Sequence, residues 1–226
     1  VSVAREEVKT EVLVIGGGAV GVSVARYFAL AGRQVILIDS EATPGSVTSS
    51  RNSGVIHAGL YYASSPIKEK LCIRGKHLLY DYCREKNIRF QQPGKLIVAQ
   101  AGEEPLLNRI FERAVANEVP TRLLSRDEIK SAYPDLSCVA ALESTSTGIV
   151  DTQSLMQSLV IDFEAAGGLL HCRDRVLGID TSDDLVQVAL EDGTRVTADI
   201  VINSAGLSAL SLVPSGVEHG YENFFL

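Results

Sequence analysis

VLVIGGGAVGVSVARYFALAGRQVILID, residues Val12 to Asp39, reads as a strand, a glycine turn, a helix and a second strand. Gly16, Gly18 and Gly21 stand in G-x-G-x-x-G register between an apolar run and a helical pattern of Val20, Val24, Tyr27, Phe28 and Ala31. Gly32 supplies the stop, and Val35, Ile36 and Ile38 form a returning parallel strand. The first glycine permits a tight turn, the second lets backbone approach a pyrophosphate, and the third lets helix and strand pack closely. The helix start, at Ala19 and Val20, offers unpaired N–H groups and a partial positive charge to a phosphate. Asp39 closes the second strand about 20 residues on, where a carboxylate accepts hydrogen bonds from a ribose. Ser40 and Glu41 follow it with no arginine, so a 2′-phosphate would meet only negative charge. The unit therefore predicts FAD or NAD and excludes NADP.

Outward from this unit, EATPGSVTSSRNSGVIHAGLYYASSP (41–66) is too long for an ordinary turn, and long structured loops usually carry function. Ser49, Ser50, Arg51 and Ser53 can donate to phosphate or flavin oxygens, arginine as a fixed fork. Gly54 and Gly59 let backbone lie against a flat ring, and His57 sits between them in an otherwise apolar run. Pro66 opens a helix to about Lys86, with Ile67, Leu71, Leu78, Leu79 and Tyr82 expected inside and Lys68, Glu69, Lys70, Arg84 and Glu85 outside. Arg74 interrupts that stripe and hints at an inward partner.

A turn at Pro93–Gly94 leads into a strand from Lys95 to Ala99. Helices follow over 104–117, with Leu107, Ile110, Phe111 and Ala114 inward, and from Ser125, whose spacing to Glu128 is that of a capping box. A strand near 139–143 closes at Thr147–Gly148, and 151–168 returns to helix, ending at Gly167. From Leu169 the period becomes 2. LLHCR is expected as the third parallel strand, RVLGID, LVQVAL and TRVTA as a meander turning at Asp192–Gly193, and ADIVINSAG as a separate strand returning to the nucleotide. Ala205 and Gly206 end it where side chains must be small.

The composition, 46% hydrophobic and 22% charged, suits a packed globular core. A net charge of −7 and a pI near 5.2 exclude nucleic acid as the main partner. No segment approaches the roughly 20 apolar residues of a membrane span, although peripheral membrane association is compatible with the sequence. Cys72, Cys83, Cys138 and Cys172 lack metal or disulfide spacing and read as reduced, mostly buried thiols of an intracellular compartment; no metal site is expected. The chain opens on Val1 with Met156 as its only methionine, as in a processed or partial sequence.

VIGGGAVGVSVAR, VTSSRNSGVIHAGLYY, LCIRGKHLLYDYCRE, PGKLIVA, GIVDTQSL and VINSAGLSA together resemble the FAD-dependent D-amino-acid-oxidase superfamily, and within it the flavoenzymes that oxidise L-2-hydroxyglutarate to 2-oxoglutarate. These motifs cover nearly all of residues 11–209. The resemblance implies a Rossmann-like FAD-binding α/β domain (1–87 and 151–211) interrupted by a partial α+β substrate domain (88–150), with a tail over 212–226. It implies FAD as cofactor, His57 as the base or orienting group beside the flavin, and the backbone of Val176 against adenine. A small 2-hydroxy acid is the implied substrate, with Lys95 and Arg74 as candidate cations for its carboxylates; the other histidines, His77, His171 and His219, read as structural. The implied electron acceptor is a quinone or another carrier. The implied address is mitochondrial for a eukaryotic source, otherwise cytoplasmic or peripheral to the inner membrane.

A related histidine loop occurs in flavin-dependent glycerol-3-phosphate dehydrogenases, whose phosphate would demand a stronger arginine cluster. The superfamily continues after the AGL segment, whereas here only SLVPSGVEHGYENFFL follows. The sequence thus reads as carboxy-terminally truncated, with Gly220–Leu226 resembling a strand that re-enters the substrate domain. Weak FAD binding and poor turnover are the corresponding expectation, and a non-catalytic flavoprotein fragment is the alternative of a different class.

Overall fold

The computed structural model describes residues 7–62, 65–181 and 185–213. In chain order the strands and helices are β1 (Glu7–Ile15), α1 (Ala19–Leu30), β2 (Val35–Asp39), β3 (Val55–Ile56), α2 (Pro66–Glu85), β4 (Phe90–Gln91) and β5 (Lys95–Ala99). They continue with α3 (Glu104–Ala116), β6 (Thr121–Leu124), α4 (Arg126–Ala132), β7 (Ala140–Ser144), β8 (Gly148–Val150) and α5 (Thr152–Ala165). The last are β9 (Leu169–Cys172), β10 (Val176–Asp180), β11 (Val186–Leu190) and β12 (Arg195–Asn203). Short 3-10 turns occupy Thr48–Ser50 and Gly206–Leu212. The chain forms two compact units, Val1–Arg51 with Met156–Leu226, and Asn52–Leu155.

The first of these, outer in chain order because the sequence of the other, inner, unit interrupts it, contains a six-stranded sheet in the order β10-β11-β12-β1-β2-β9. β12, β1, β2 and β9 run parallel; β2 and the second half of β1 are the buried apolar runs of strands covered on both faces, whereas β9 is a half-exposed edge strand. Alternation sorts them: Leu13, Ile15, Ile36 and Ile38 join Val176, Val188, Leu190, Val196 and Ala198 in one core cluster. LLHC is the third parallel strand, as its sequence suggests. The expected break between TRVTA and ADIVIN is absent. β12 is one nine-residue strand, because β1 is equally long and pairs with it from Glu7–Arg195 to Ile15–Asn203, while β11 lies antiparallel along its first half.

α1 packs on β1 and β2 through Gly21, Val22, Ala25 and Ala29. Small residues let it approach closely, so the expected stripe is displaced: Val20 and Tyr27 are 70% and 69% exposed. In α5, Met156, Leu159 and Phe163 are buried, and Gly168 lies against the Phe163 ring.

The inner unit has two antiparallel three-stranded sheets, β3-β8-β4 and β5-β7-β6. β6 lies where the sequence suggested only the connection between two helices; it gives β7 a partner on its second edge. α3 buries Leu107 and Ala114 and half-buries Ile110 and Phe111, as its period predicts. At α4 both capping-box bonds form, Glu128 N–H to Ser125 Oγ (3.3 Å) and Ser125 N–H to Glu128 Oε2 (2.8 Å).

The helix α2, expected within the first nucleotide-binding part, belongs to this inner unit; Lys68, Lys70, Arg84 and Glu85 are exposed as expected, but its buried face is not the expected apolar stripe. Its buried residues are Glu69, Lys76, Tyr80 and Cys83, whereas Ile67, Leu71 and Leu78 are exposed and Leu79 and Tyr82 half-buried. The tail 214–226, with His219, lies outside the described residues.

Candidate functional site

In the outer unit the glycine turn is held by contacts that exclude any side chain. Gly16 has φ +97°, and a Cβ there would stand 2.5 Å from Ser204 O. Ser204 closes the turn by donating its N–H (2.8 Å) and Oγ–H (2.7 Å) to Ile15 O. A Cβ on Gly21 would lie 1.8 Å from Gly16 O, so α1 can sit on the turn only with glycine here. The helix start carries no acidic residue and no cap from its own N-cap, Gly18; instead Ala19 N–H donates to Ser49 Oγ at 2.9 Å.

Asp39 faces this turn. Its Oδ2 accepts from Gly17 N–H at 2.5 Å and its Oδ1 from Glu41 N–H at 2.8 Å. Gly17, the middle glycine that the fingerprint spacing passes over, is thereby a working residue: a Cβ on it would meet the carboxylate at 2.6 Å. Its signal in the sequence is the unbroken run of three glycines, 16–18. Ser204, also unforeseen, is the serine of the INSAG segment.

Other expected cofactor residues fall as follows. Ser50 Oγ donates to Ser46 O and Val47 O and shapes its own 3-10 turn. Arg51 and Ser53 are exposed. Gly54 takes φ +65° and lies against Val150 O, with Val150 N–H donating to Gly54 O at 2.8 Å. Val176 is buried at the head of β10. Ala205 N–H donates to Asn203 Oδ1, and Gly206 is exposed at the start of its 3-10 turn.

The inner unit gathers a second set. His57, Ala58, Gly59, Leu60, Tyr61, Tyr62, Lys95 and Thr147 line one pocket. The Lys95 ammonium stands 4.5 Å from the Tyr61 ring centroid, a cation held over an aromatic face. Lys68 stands similarly over Tyr62, at 4.8 Å. Tyr61, Tyr62 and Thr147 were not singled out by the sequence, whereas His57 and Lys95 were, and the fold brings those two together. Arg74 is exposed on α2, is not among the pocket-lining residues, and does not point inward as its break in the stripe suggested.

The pocket wall is tied down by α2. Cys72 Sγ donates to His57 O (3.6 Å), and Ile73 fills the space where a Cβ on Gly59 would project. Glu69 accepts from Arg113 Nη2 at 2.9 Å and also from its Nε, and Arg113 Nη2 donates to Tyr62 O at 3.3 Å. The Arg113 hydrogen bonds hold the Glu69 carboxyl below the usual carboxylate range despite opposing desolvation. Burial pushes the Cys72 thiol up, with the neighbouring Tyr62 hydroxyl opposing, so this thiol is not activated. Cys72, Cys138 and Cys172 are half-buried and only Cys83 is fully buried, fewer than expected; all four are free.

His77 is exposed on α2. His171 Nε2 lies 3.0 Å from Asp174 Oδ2, while Asp174 Oδ1 accepts the Glu191 N–H at 3.1 Å, which joins the end of β9 to the β11–β12 hairpin.

A parallel sheet with a glycine cradle at the first strand's end, a bare helix start and an acidic residue closing the second strand defines a dinucleotide-binding protein. The model of the FAD-dependent oxidoreductase family matches residues 11–220, and the chain belongs to that family. The chain is 46% identical over 161 residues to the mitochondrial L-2-hydroxyglutarate dehydrogenase of Arabidopsis thaliana, covering 70% of this chain and 33% of that protein. It is 33% identical over 212 residues to the human mitochondrial L-2-hydroxyglutarate dehydrogenase, covering 87% and 46%. The Escherichia coli K12 L-2-hydroxyglutarate dehydrogenase is 28% identical, covering 92% and 50%. The chain thus spans between a third and half of the length of these relatives. Among solved structures, L-proline dehydrogenase from P. horikoshii superposes with a TM-score of 0.81 at 25% identity, over 91% of this chain and 55% of that one. An FAD-bound L-α-glycerophosphate oxidase from Mycoplasma pneumoniae does so at 0.80 and 24%, over 87% and 54%.

The outer unit fits FAD on its own geometry. Two glycine positions admit no Cβ, and unpaired negative charge is absent from the first turn of α1.

Proposed function

We propose that the protein takes part in the oxidation of L-2-hydroxyglutarate to 2-oxoglutarate. The observation that carries this reading is the pocket in which a histidine and a lysine meet, in a chain whose curated relatives bear that enzyme's name. Gly16 to Gly21 and the start of α1 would hold the pyrophosphate of FAD, Asp39 a ribose, and the Val176 backbone the adenine, with Ser49, Arg51, Ser53, Gly54, Ala205 and Gly206 as further candidate contacts. When bound, FAD supplies the acceptor for the hydride that leaves C2 of the substrate.

His57 takes the hydroxyl proton as that hydride departs, so the alcohol loses two electrons and two protons and becomes a ketone. An imidazole suits the task near neutral pH because its ordinary pKa lies there. Lys95 pairs with a substrate carboxylate, and Tyr61 holds the ammonium in place while leaving its hydrogens for the anion. The electrons then pass to a quinone or another acceptor. The eukaryotic relatives are named as mitochondrial, which is the address proposed for this chain if its source is eukaryotic. Among the described residues no helix is long and apolar enough to cross a membrane.

Anaerobic mixing of the FAD-loaded protein with L-2-hydroxyglutarate, its D-enantiomer or glycerol 3-phosphate tests the reading. Loss of flavin absorbance with the L-form alone is expected. Bound flavin that bleaches with none of them, or only with glycerol 3-phosphate, overturns it. His57→Asn should slow the bleaching by about 10²–10⁴-fold with FAD still bound.

A further inference from the structure

Lys76 is a buried cation whose position no part of the proposed chemistry uses. It sits on the inward face of α2 at 3% exposure, where burial pulls its pKa down and, among the described residues, no carboxylate stands against it. Its ammonium donates to Ser146 Oγ at 3.0 Å. The same serine is gripped from the next turn of α2, where the Tyr80 hydroxyl donates to Ser146 O at 3.1 Å. Gly148 is what lets that tyrosine in, since a Cβ there would meet the Tyr80 hydroxyl at 2.2 Å.

Ser146 lies in the turn between β7 and β8, and the residue after it reaches the pocket. Thr147 lines the pocket beside Lys95, bonds Ser144 Oγ through its own hydroxyl (3.1 Å), and accepts Gly94 N–H on its carbonyl (3.1 Å). Gly94 is the residue immediately before Lys95, and Lys95 pairs with Ser144 at the start of β5. One chain of contacts therefore runs from Lys76 through Ser146, Thr147 and Gly94 to Lys95. Cys72, one turn earlier on the same face, holds the carbonyl of His57.

We propose that Lys76 is a positioning residue, which through Ser146 and the β7–β8 turn sets where Lys95 and Thr147 stand in the pocket. Stability does not account for it. Burying an ammonium without a counter-charge is costly, and a single hydrogen bond to the Ser146 hydroxyl offsets only part of that cost. What a methionine lacks is a charged donor aimed at Ser146, which fixes the turn more firmly than a neutral contact would.

The position of Lys95 can be read without turnover. Reductive ¹³C-methylation of the lysines gives each a methyl resonance, and the Lys95 resonance, identified by its loss in Lys95→Met, should lie upfield because it sits over the Tyr61 ring. In Lys76→Met and in the milder Ser146→Ala it should collapse to the position of the exposed lysines, with the thermal midpoint of Lys76→Met unchanged or raised. The kinetic arm alone rests on the proposed oxidation: both variants should raise KM for L-2-hydroxyglutarate about 10-fold, change kcat less than about 3-fold, and add nothing to Lys95→Met when combined with it. A Lys95 resonance that stays upfield in both variants, or full additivity with Lys95→Met, overturns the proposal. If the unmodified protein does not oxidise the substrate, the reading of function fails and the resonance still decides the role of Lys76.

Discussion

Replacing Asp39 by alanine tests how much of the nucleotide cradle is built by the protein itself. Its Oδ2 takes the Gly17 N–H at 2.5 Å inside the turn, and its Oδ1 takes the Glu41 N–H at 2.8 Å at the surface. A hydrogen bond to a charged acceptor contributes about 1.5–3 kcal/mol where water is partly excluded, and an exposed one about 0.5–1 kcal/mol. Their joint loss is about 3 kcal/mol. For a chain of this length each kcal/mol moves the thermal midpoint by about 2–4 °C, so the flavin-free protein should melt roughly 6–12 °C lower. Asparagine should rescue little. It has one accepting oxygen, and its amide group would set an N–H against one of the two backbone N–H donors. Scanning calorimetry of the flavin-free wild type and the two variants measures this apart from any ligand. An alanine variant melting within about 1 °C of wild type, or an asparagine variant as stable as wild type, would refute the assignment of Asp39 as the anchor of the turn.

Gly21→Ala places a Cβ 1.8 Å from Gly16 O, which should cost about 1–3 kcal/mol by overpacking and abolish co-purification of flavin; normal retention in the absorbance spectrum would count against the cradle. Glu69→Gln should lower the midpoint by several degrees by stranding Arg113 at the Tyr62 carbonyl. Because Arg113 holds the Glu69 carboxyl below its unfolded value, this stabilisation is full above the ordinary carboxylate range and fades as pH falls through the lowered value, so wild type and variant should converge in acid melting curves. Ser125→Ala breaks the capping box of α4 and should cost about 1 kcal/mol in urea denaturation, with the Lys95 resonance unmoved.

The outer unit was largely legible in its sequence because its determinants are local and covalently spaced. A parallel strand buried on both faces shows as an unbroken apolar run, and a turn that admits no Cβ shows as glycine. Residues 12–39 carry both signals, whereas β9, a half-exposed edge strand, was found by its period of 2. What failed there was non-local. Nothing within 195–203 says that β1 is long enough to pair with all of it, so a single strand looked like two. The α1 stripe failed for a related reason: large apolar residues attract the core assignment, yet a helix lying directly on a turn must face it with Gly21, Ala25 and Ala29.

The pocket was legible only where chemistry, not period, marked it. His57 and Lys95 stood out as a titratable group in an apolar loop and a cation behind a turn. α2 was misjudged because a helical period identifies the core side by its apolar residues, and that rule holds when the opposing surface is itself apolar. Here the opposing surface is the backbone of a loop and a hairpin turn: the carbonyls of His57 and Ser146 and a guanidinium held at the carbonyl of Tyr62. Such a surface offers acceptors, and each must be satisfied when it is buried. The residues that can satisfy them are donors and the partner of a donor: Cys72, Lys76 and Tyr80, with Glu69 binding Arg113. They recur at helical spacing on one face, so the pattern was present in the sequence with its chemical sign reversed. A helix that props up a binding pocket is therefore better recognised by a stripe of donors facing a glycine- and serine-rich loop than by its apolar side, and in this chain that stripe leads, through Ser146, to Lys95.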